Sequence, residues 1–201
     1  MKNRTLCIVL LAALAAAVQG CGAFKSQPEQ VRLYTLSYPV PRQVIKDSTS
    51  PVLLEVKPFR AAGPYGSDRM VYAENQYKRS SYIYHKWQNE PAEMVYDLII
   101  RDLRASKIAE AVVPAPDTPS THTLQGTIDA FYEDDSQDPW EAVLEITVTL
   151  SGQSAGSSES QVVLHRSYTK RKPLEQNNPL GLAEAMSLAL EEVSSKMIKD
   201  I

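Results

Sequence analysis

The sequence predicts an α+β fold, a mostly antiparallel sheet with two amphipathic helices packed on one face. Three patterns predict it. Trp140, Ala142, Leu144, Ile146, Val148 and Leu150 alternate with Glu141, Glu145, Thr147 and Thr149. That strict period of two describes a strand with one dry and one wet face. Val95, Leu98, Ile99 and Leu103 recur at helical spacing behind Pro91, whose missing N–H costs nothing in a first helical turn. Leu182, Met186, Ala189, Leu190, Val193 and Met197 form a second stripe behind Asn178-Pro179, a capping pair. Helices with one apolar stripe cover one face of such a sheet.

The N-terminus has a different character. Lys2 and Arg4 precede Leu6 to Val18, an apolar run of 13 residues, too short to span a bilayer and of the length of a secretory leader. Val18-Gln19-Gly20-Cys21 closes it with an aliphatic residue three positions before the cysteine and a small one just before it. This order is similar to a lipobox. Residues 1–20 then form a lipoprotein signal peptide, and Cys21 carries acyl chains such as palmitate. Residues 21–30, polar and with Pro28, form a lipidated tether, and 31–201 a single domain.

Within that domain Val31 to Ser37 and Val52 to Phe59 read as strands separated by a loop through Pro39, Pro41 and Pro51. Gly63-Pro64-Tyr65-Gly66 is a turn. Arg69 to Ala73 and Arg79 to His85 pair as a hairpin across Glu74 to Lys78. The first helix ends near Ser106, and a short strand near Ala111 to Val113 stops at Pro114-Ala115-Pro116 before a loop through Pro119. Leu124, Ile128 and Ala130, then the 140–150 strand, then Val162 and Leu164 make an antiparallel meander. Its reversals fall at the acidic Glu133 to Asp138 and at Gly152 to Ser160.

Composition narrows the function. With 21 basic and 24 acidic residues in all, loss of Lys2 and Arg4 leaves 19 and 24, a net charge near −5. No basic excess remains to neutralise nucleic-acid phosphates or to form a polybasic membrane patch. Cys7 leaves with the leader and Cys21 is acylated, so no thiol is left for a disulfide, metal cage or nucleophile. Neither a Walker A sequence nor GxGxxG occurs, and no GxSxG. His85, His122 and His165 are far apart and lack ligand spacing. Glu133-Asp134-Asp135 with Asp138 lacks the spacing of a calcium loop and reads as a solvated hairpin tip. Lys170-Arg171-Lys172 could touch lipid phosphates, and a solvated strand end explains it equally well. These residues predict no catalytic centre, no metal and no cofactor.

One cluster stands out. Tyr65, Tyr72, Tyr77, Tyr82, Tyr84 and Tyr96 crowd into one stretch with Trp87. Aromatics with polar tips suit interfaces, and Tyr72, Tyr82, Tyr84 and Trp87 are the candidate partner-binding residues. Side chains two apart on a strand share a face, which pairs Tyr82 with Tyr84 as the contact and leaves Trp87 as core. The competing reading is a tyrosine-rich sheet packed under the first helix.

The same stretch carries a family resemblance. Arg69-Met70-Val71-Tyr72, then Tyr82-Ile83-Tyr84-His85-Lys86-Trp87, then Pro91 opening a helix with Leu98 and Leu103, resembles the ABC-type transport auxiliary lipoprotein family. That family has an R-hydrophobic-x-Y strand before a Y-x-x-W-x-x-x-P turn, a helix and a later antiparallel sheet. Arg32-Leu33-Tyr34-Thr35-Leu36 resembles its first mature strand, and the likeness runs over about residues 30 to 200. Asn89-Glu90 stands where small residues or a second proline are common. The resemblance implies a non-catalytic lipoprotein that partners an MCE-domain protein in an ABC-type intermembrane lipid transport system, with ATPase and permease on other chains. It implies an outer-membrane anchor facing the periplasm, as Gly22 rather than Asp also does. Self-association into a homo-oligomer is compatible with it. A role in envelope assembly or stabilisation, bound to a β-barrel or the cell wall, is the alternative.

Overall fold

The alternating segments become the longest strands, and everything else is arranged around the first of them. The structure, a computed structural model, describes residues 29–41, 52–114, 120–153 and 160–201. The leader, Cys21, nearly all of the tether, most of the first proline loop, and the segments 115–119 and 154–159 lie outside the described residues. In chain order the elements are β1 (Arg32–Tyr34), β2 (Leu53–Val56), β3 (Arg60–Ala61), a 3₁₀ turn (Gly63–Tyr65), β4 (Arg69–Asn75) and β5 (Lys78–Trp87). Then follow α1 (Pro91–Ser106), β6 (Ala111–Pro114), β7 (His122–Asp134), β8 (Glu141–Gln153), β9 (Ser160–Pro173) and α2 (Pro179–Asp200).

Along one side of β7 runs β8, antiparallel from His122↔Gly152 to Asp134↔Glu141, and β9 continues the antiparallel order beyond β8. The other side of β7 takes three short strands in succession, all parallel. They are β2 at Leu54↔His122, β3 at Arg60↔Thr127 and β4 at Tyr72↔Glu133. β6 adds to β2 in parallel; β5 pairs antiparallel with β4, and β1 parallel with β5. The sheet is therefore mixed, and the expectation of a mostly antiparallel one is corrected. Alternation reports which face is dry, not which way the neighbour runs. The connection through α1 brings the chain back opposite to β5, the direction of β4, so β7 meets β4 in parallel. The first expected strands are also shorter than the sequence suggested: β1 stops at Tyr34 and β2 at Val56, and β3 follows just beyond the expected second strand.

The meander and the 69–87 hairpin form as expected, and so do the helix limits. α1 starts at Pro91 and stops at Ser106, where Lys107 adopts a left-handed φ of 55°. α2 is capped by Asn178, whose Oδ1 accepts from the Gly181 N–H at 3.0 Å. A Cβ at Gly181 would run into the Gln176 carbonyl oxygen, so this turn needs glycine. Leu124, Ile128, Phe131, Leu144, Ile146 and Val148 of the sheet share one hydrophobic cluster with Val95, Ile99 and Leu103 of α1 and Leu182, Met186 and Leu190 of α2. Burying each such side chain stabilises the fold by about 1.5–3 kcal/mol.

A buried polar hub ties the helices together. Asp102 on α1 is fully buried. Its Oδ2 accepts from the Tyr38 hydroxyl at 2.7 Å and from Ser194 Oγ of α2 at 2.6 Å, and its Oδ1 accepts from Arg101 Nε at 2.9 Å. Burial and the carboxylate push the Tyr38 hydroxyl pKa well up, so it stays a donor. At the other end of the meander the basic run is ion-paired. Arg171 Nε meets Glu141 at 2.7 Å, Arg171 also meets Asp134, and Lys170 and Lys172 both meet Glu192.

Candidate functional site

The hairpin of β4 and β5 is closed by Asn75, whose Oδ1 accepts from the Tyr77 and Lys78 N–H groups at 2.9 and 3.0 Å. A short polar side chain that satisfies the turn's own backbone is the reason Asn favours this position. Tyr77 projects from the tip, 90% exposed. Pairing runs Tyr72↔Ser80 and Val71↔Ser81, then jumps to Arg69↔Lys86. β5 therefore bulges across Tyr82 to His85, and simple alternation does not hold there.

The bulge separates two residues expected on one face. Tyr82 turns toward the sheet: its ring lies 5.0 Å from that of Tyr72 and 5.7 Å edge-on to His85, and its hydroxyl donates to Glu133 Oε1 at 2.7 Å. His85 in turn meets Tyr34 of β1, with Tyr34 Oη and His85 Nδ1 2.9 Å apart. Tyr84 is 38% exposed. Trp87 is buried and packs edge-to-face on Phe131 at 5.2 Å, its indole N–H without a partner among the described residues. Tyr65 stacks on Tyr132, and Tyr96 sits on α1 with its hydroxyl to the Val56 carbonyl. Only Tyr72 and Tyr82 of the sequence cluster thus meet each other. Tyr34, His85 and Glu133 complete the group; the sequence places Tyr34 and His85 on strands and Glu133 at a hairpin tip, and none of the three among the partner-binding candidates.

Glu133 is the largest correction at this site. It was expected at a solvated tip, yet β7 continues through Asp134 and Glu133 is fully buried. The β7–β8 register shifts between Ile128 and Ala130. That bulge brings Phe131 and Glu133 opposite the buried Leu144 and Ala142. Desolvation raises the Glu133 pKa from 4.5 to about 7; the Tyr82 hydrogen bond opposes the rise and the Asp135 charge adds to it. Its Oε2, like Asp135 Oδ1, has no hydrogen-bond partner among the described residues.

A stability prediction follows with a definite sign. Between pH 4.5 and about 7 the folded chain keeps a proton that the unfolded chain has lost. Stability from this group is complete below pH 4.5 and falls as pH rises through 7, by on the order of 3 kcal/mol. Glu133→Gln retains an acceptor for Tyr82 and removes the charge. Its melting temperature should match the parent at pH 4.5 and exceed it at pH 8, a gain of about 2 kcal/mol. Parallel melting-temperature curves from pH 4.5 to 8 for the two proteins would reject this origin.

The other candidates fall out separately. His122 meets Thr121 Oγ1 and His165 meets Thr149 Oγ1. Among the described residues no three His, Cys, Asp or Glu converge in a way that could hold a metal, and no helix is long and apolar enough to cross a membrane. Cys21 lies outside the described residues. What the hairpin group does physically is pin β5 and β1 onto the end of β7 while leaving Ile83 and Tyr84 exposed.

These features describe an α+β domain with a curled mixed sheet, two helices and an aromatic hairpin at one end of the strand order. The chain belongs to the family described as ABC-type transport auxiliary lipoprotein component, which matches residues 34–198. The crystal structure of a Xanthomonas campestris protein is similar at a TM-score of 0.73 and 21% identity, covering 84% of this chain and 93% of that one. A second, uncharacterised crystal structure is similar at 0.65 and 14% identity, covering 86% and 99%. At these identities the likeness concerns the fold. No curated protein matches the chain.

Proposed function

We propose that the chain is a non-catalytic outer-membrane lipoprotein subunit of an ABC/MCE-type intermembrane lipid transport system. The family match across residues 34–198 carries this reading, and the lipobox-like Val18-Gln19-Gly20-Cys21 directly before the domain supports it. Cys21 is the lipid-bearing residue, the domain faces the periplasm, and an MCE-domain protein is its partner. Energy from ATP enters through other chains. The aromatic hairpin serves as a docking surface. In it Tyr72, Tyr82 and Trp87 give rigidity, and Tyr84 supplies the exposed ring.

Two measurements test the reading. Cys21→Ser should leave an uncleaved or soluble periplasmic species, since the acyl chains supply the stable part of a lipoprotein's anchoring. Persistence of the variant in the outer-membrane fraction after a high-salt wash would remove the anchor. Affinity purification of the native chain followed by mass spectrometry should recover an MCE-domain protein; recovery of barrel-assembly or cell-wall proteins in its place would favour the envelope-assembly role.

A further inference from the structure

Four large apolar side chains are exposed on two adjacent strand regions at one end of the sheet. Val31 and Leu33, at and beside β1, are 52% and 62% exposed; Ile83 and Tyr84, on the bulge of β5, are 76% and 38% exposed. β1 lies directly beside β5 in parallel, with Leu33 level with Lys86, so these residues form one rim rather than scattered points. Singly exposed apolar residues are ordinary on protein surfaces, but a contiguous set calls for an occupant.

Charge selects the occupant. The whole chain is acidic, with a net charge of −3. Strands β1, β4 and β5 depart from this, with Arg32, Arg69, Lys78, Arg79 and Lys86 against the single acid Glu74. β9 is the other basic strand, but its Arg166, Lys170, Arg171 and Lys172 are all ion-paired. Lys78 pairs with Glu74 and Lys86 with Asp68, just outside the strands. No carboxylate is paired with Arg32, Arg69 or Arg79 among the described residues. Apolar and aromatic side chains ringed by cations are the signature of a surface that sits in the headgroup layer of an anionic bilayer. The composition of the chain as a whole argued against a basic membrane patch; the fold collects one locally.

Chain connectivity points the same way. Val31 follows Cys21 by ten residues, which can span at most about 35 Å. Given the reading of Cys21 as the lipid anchor, on which this inference rests, the rim begins where the tether ends. Depth is limited by β1, whose outer edge has unpaired backbone groups that hydrocarbon cannot satisfy. A tyrosine ring and short aliphatic side chains reach the headgroup boundary without burying that edge.

We propose that the Leu33–Ile83–Tyr84 rim, with Arg32 and Arg69 beside it, docks on the surface of the anionic bilayer that holds the anchor. The lipid then tethers the domain and the rim orients it.

The test uses the full-length lipidated chain in phosphatidylethanolamine–phosphatidylglycerol vesicles. An environment-sensitive fluorophore is placed at Ile83→Cys and, as control, at Leu188→Cys, an exposed leucine of α2. Quenching by bilayer-embedded lipid should be at least about threefold stronger at position 83 than at 188. It should weaken on adding Arg32→Glu with Arg69→Glu, in molar-range salt, or in phosphatidylcholine alone. Equal quenching at both positions overturns the proposal. So does a label at 83 that leaves water only after an MCE-domain protein is added, which would assign the rim to that partner. The mass of the Cys21 peptide reports the anchor separately: an unacylated Cys21 refutes the anchor, whereas salt-dependent flotation of Cys21→Ser protein with the same vesicles reads the rim without it.

Discussion

Asp102→Ala is expected to lower the free energy of unfolding by about 4 kcal/mol, the cost of breaking a buried ionic network from its centre. The carboxylate accepts from Tyr38, Arg101 and Ser194, which come from the segment after β1, from α1 and from α2. Removing it strands two buried hydroxyl donors and a guanidinium in one step. Nothing else in the hub can replace it, because Ser187, the other buried polar residue of α2, is committed to the Ser37 N–H and the Ala183 carbonyl. Asp102→Asn should cost less, since the amide oxygen still accepts one hydroxyl. Urea unfolding of both variants checks this order. An Asp102→Ala protein within 1 kcal/mol of the parent would mean that water enters and replaces the carboxylate.

Trp87→Ala should cost a similar amount, about 3–5 kcal/mol, through lost burial and the cavity left against Phe131. Trp87→Phe is the informative companion. It keeps an aromatic ring beside Phe131 and removes an indole N–H that has no partner among the described residues, so most of the loss should be spared. Tyr84→Ala should leave stability within about 0.5 kcal/mol, as exposed positions do, and affect only attachment to whatever covers the rim. Thermal melts together with a binding measurement separate the two classes. A Tyr84→Ala protein that melts early and still docks normally would place Tyr84 in the core.

Much of the architecture could be read from residue order. The helix limits at Pro91, Ser106 and Asn178-Pro179, the hairpin across Glu74 to Lys78 and the three long strands all follow local rules of capping, turn chemistry and periodicity. So did the family, through Arg69 to Tyr72 and Tyr82 to Trp87. Trp87 as core and Tyr84 as exposed could be told apart only in part, because the relevant alternation fails on a bulge that spacing does not reveal.

Local spacing sets which segments become helix or strand and the dry face of the regular ones, because those depend on neighbours two to four residues away. That β2, β3 and β4 line up in parallel along β7 emerges only in the packed sheet, because strand direction is set by where a crossover lands. It alone buried Glu133 beneath Tyr82, since one extra residue near Ala130 reverses every side chain beyond it. And it alone gathered five cations and an apolar rim at one end of an acidic chain, because β1 and β5, about fifty residues apart, become neighbours only in the sheet.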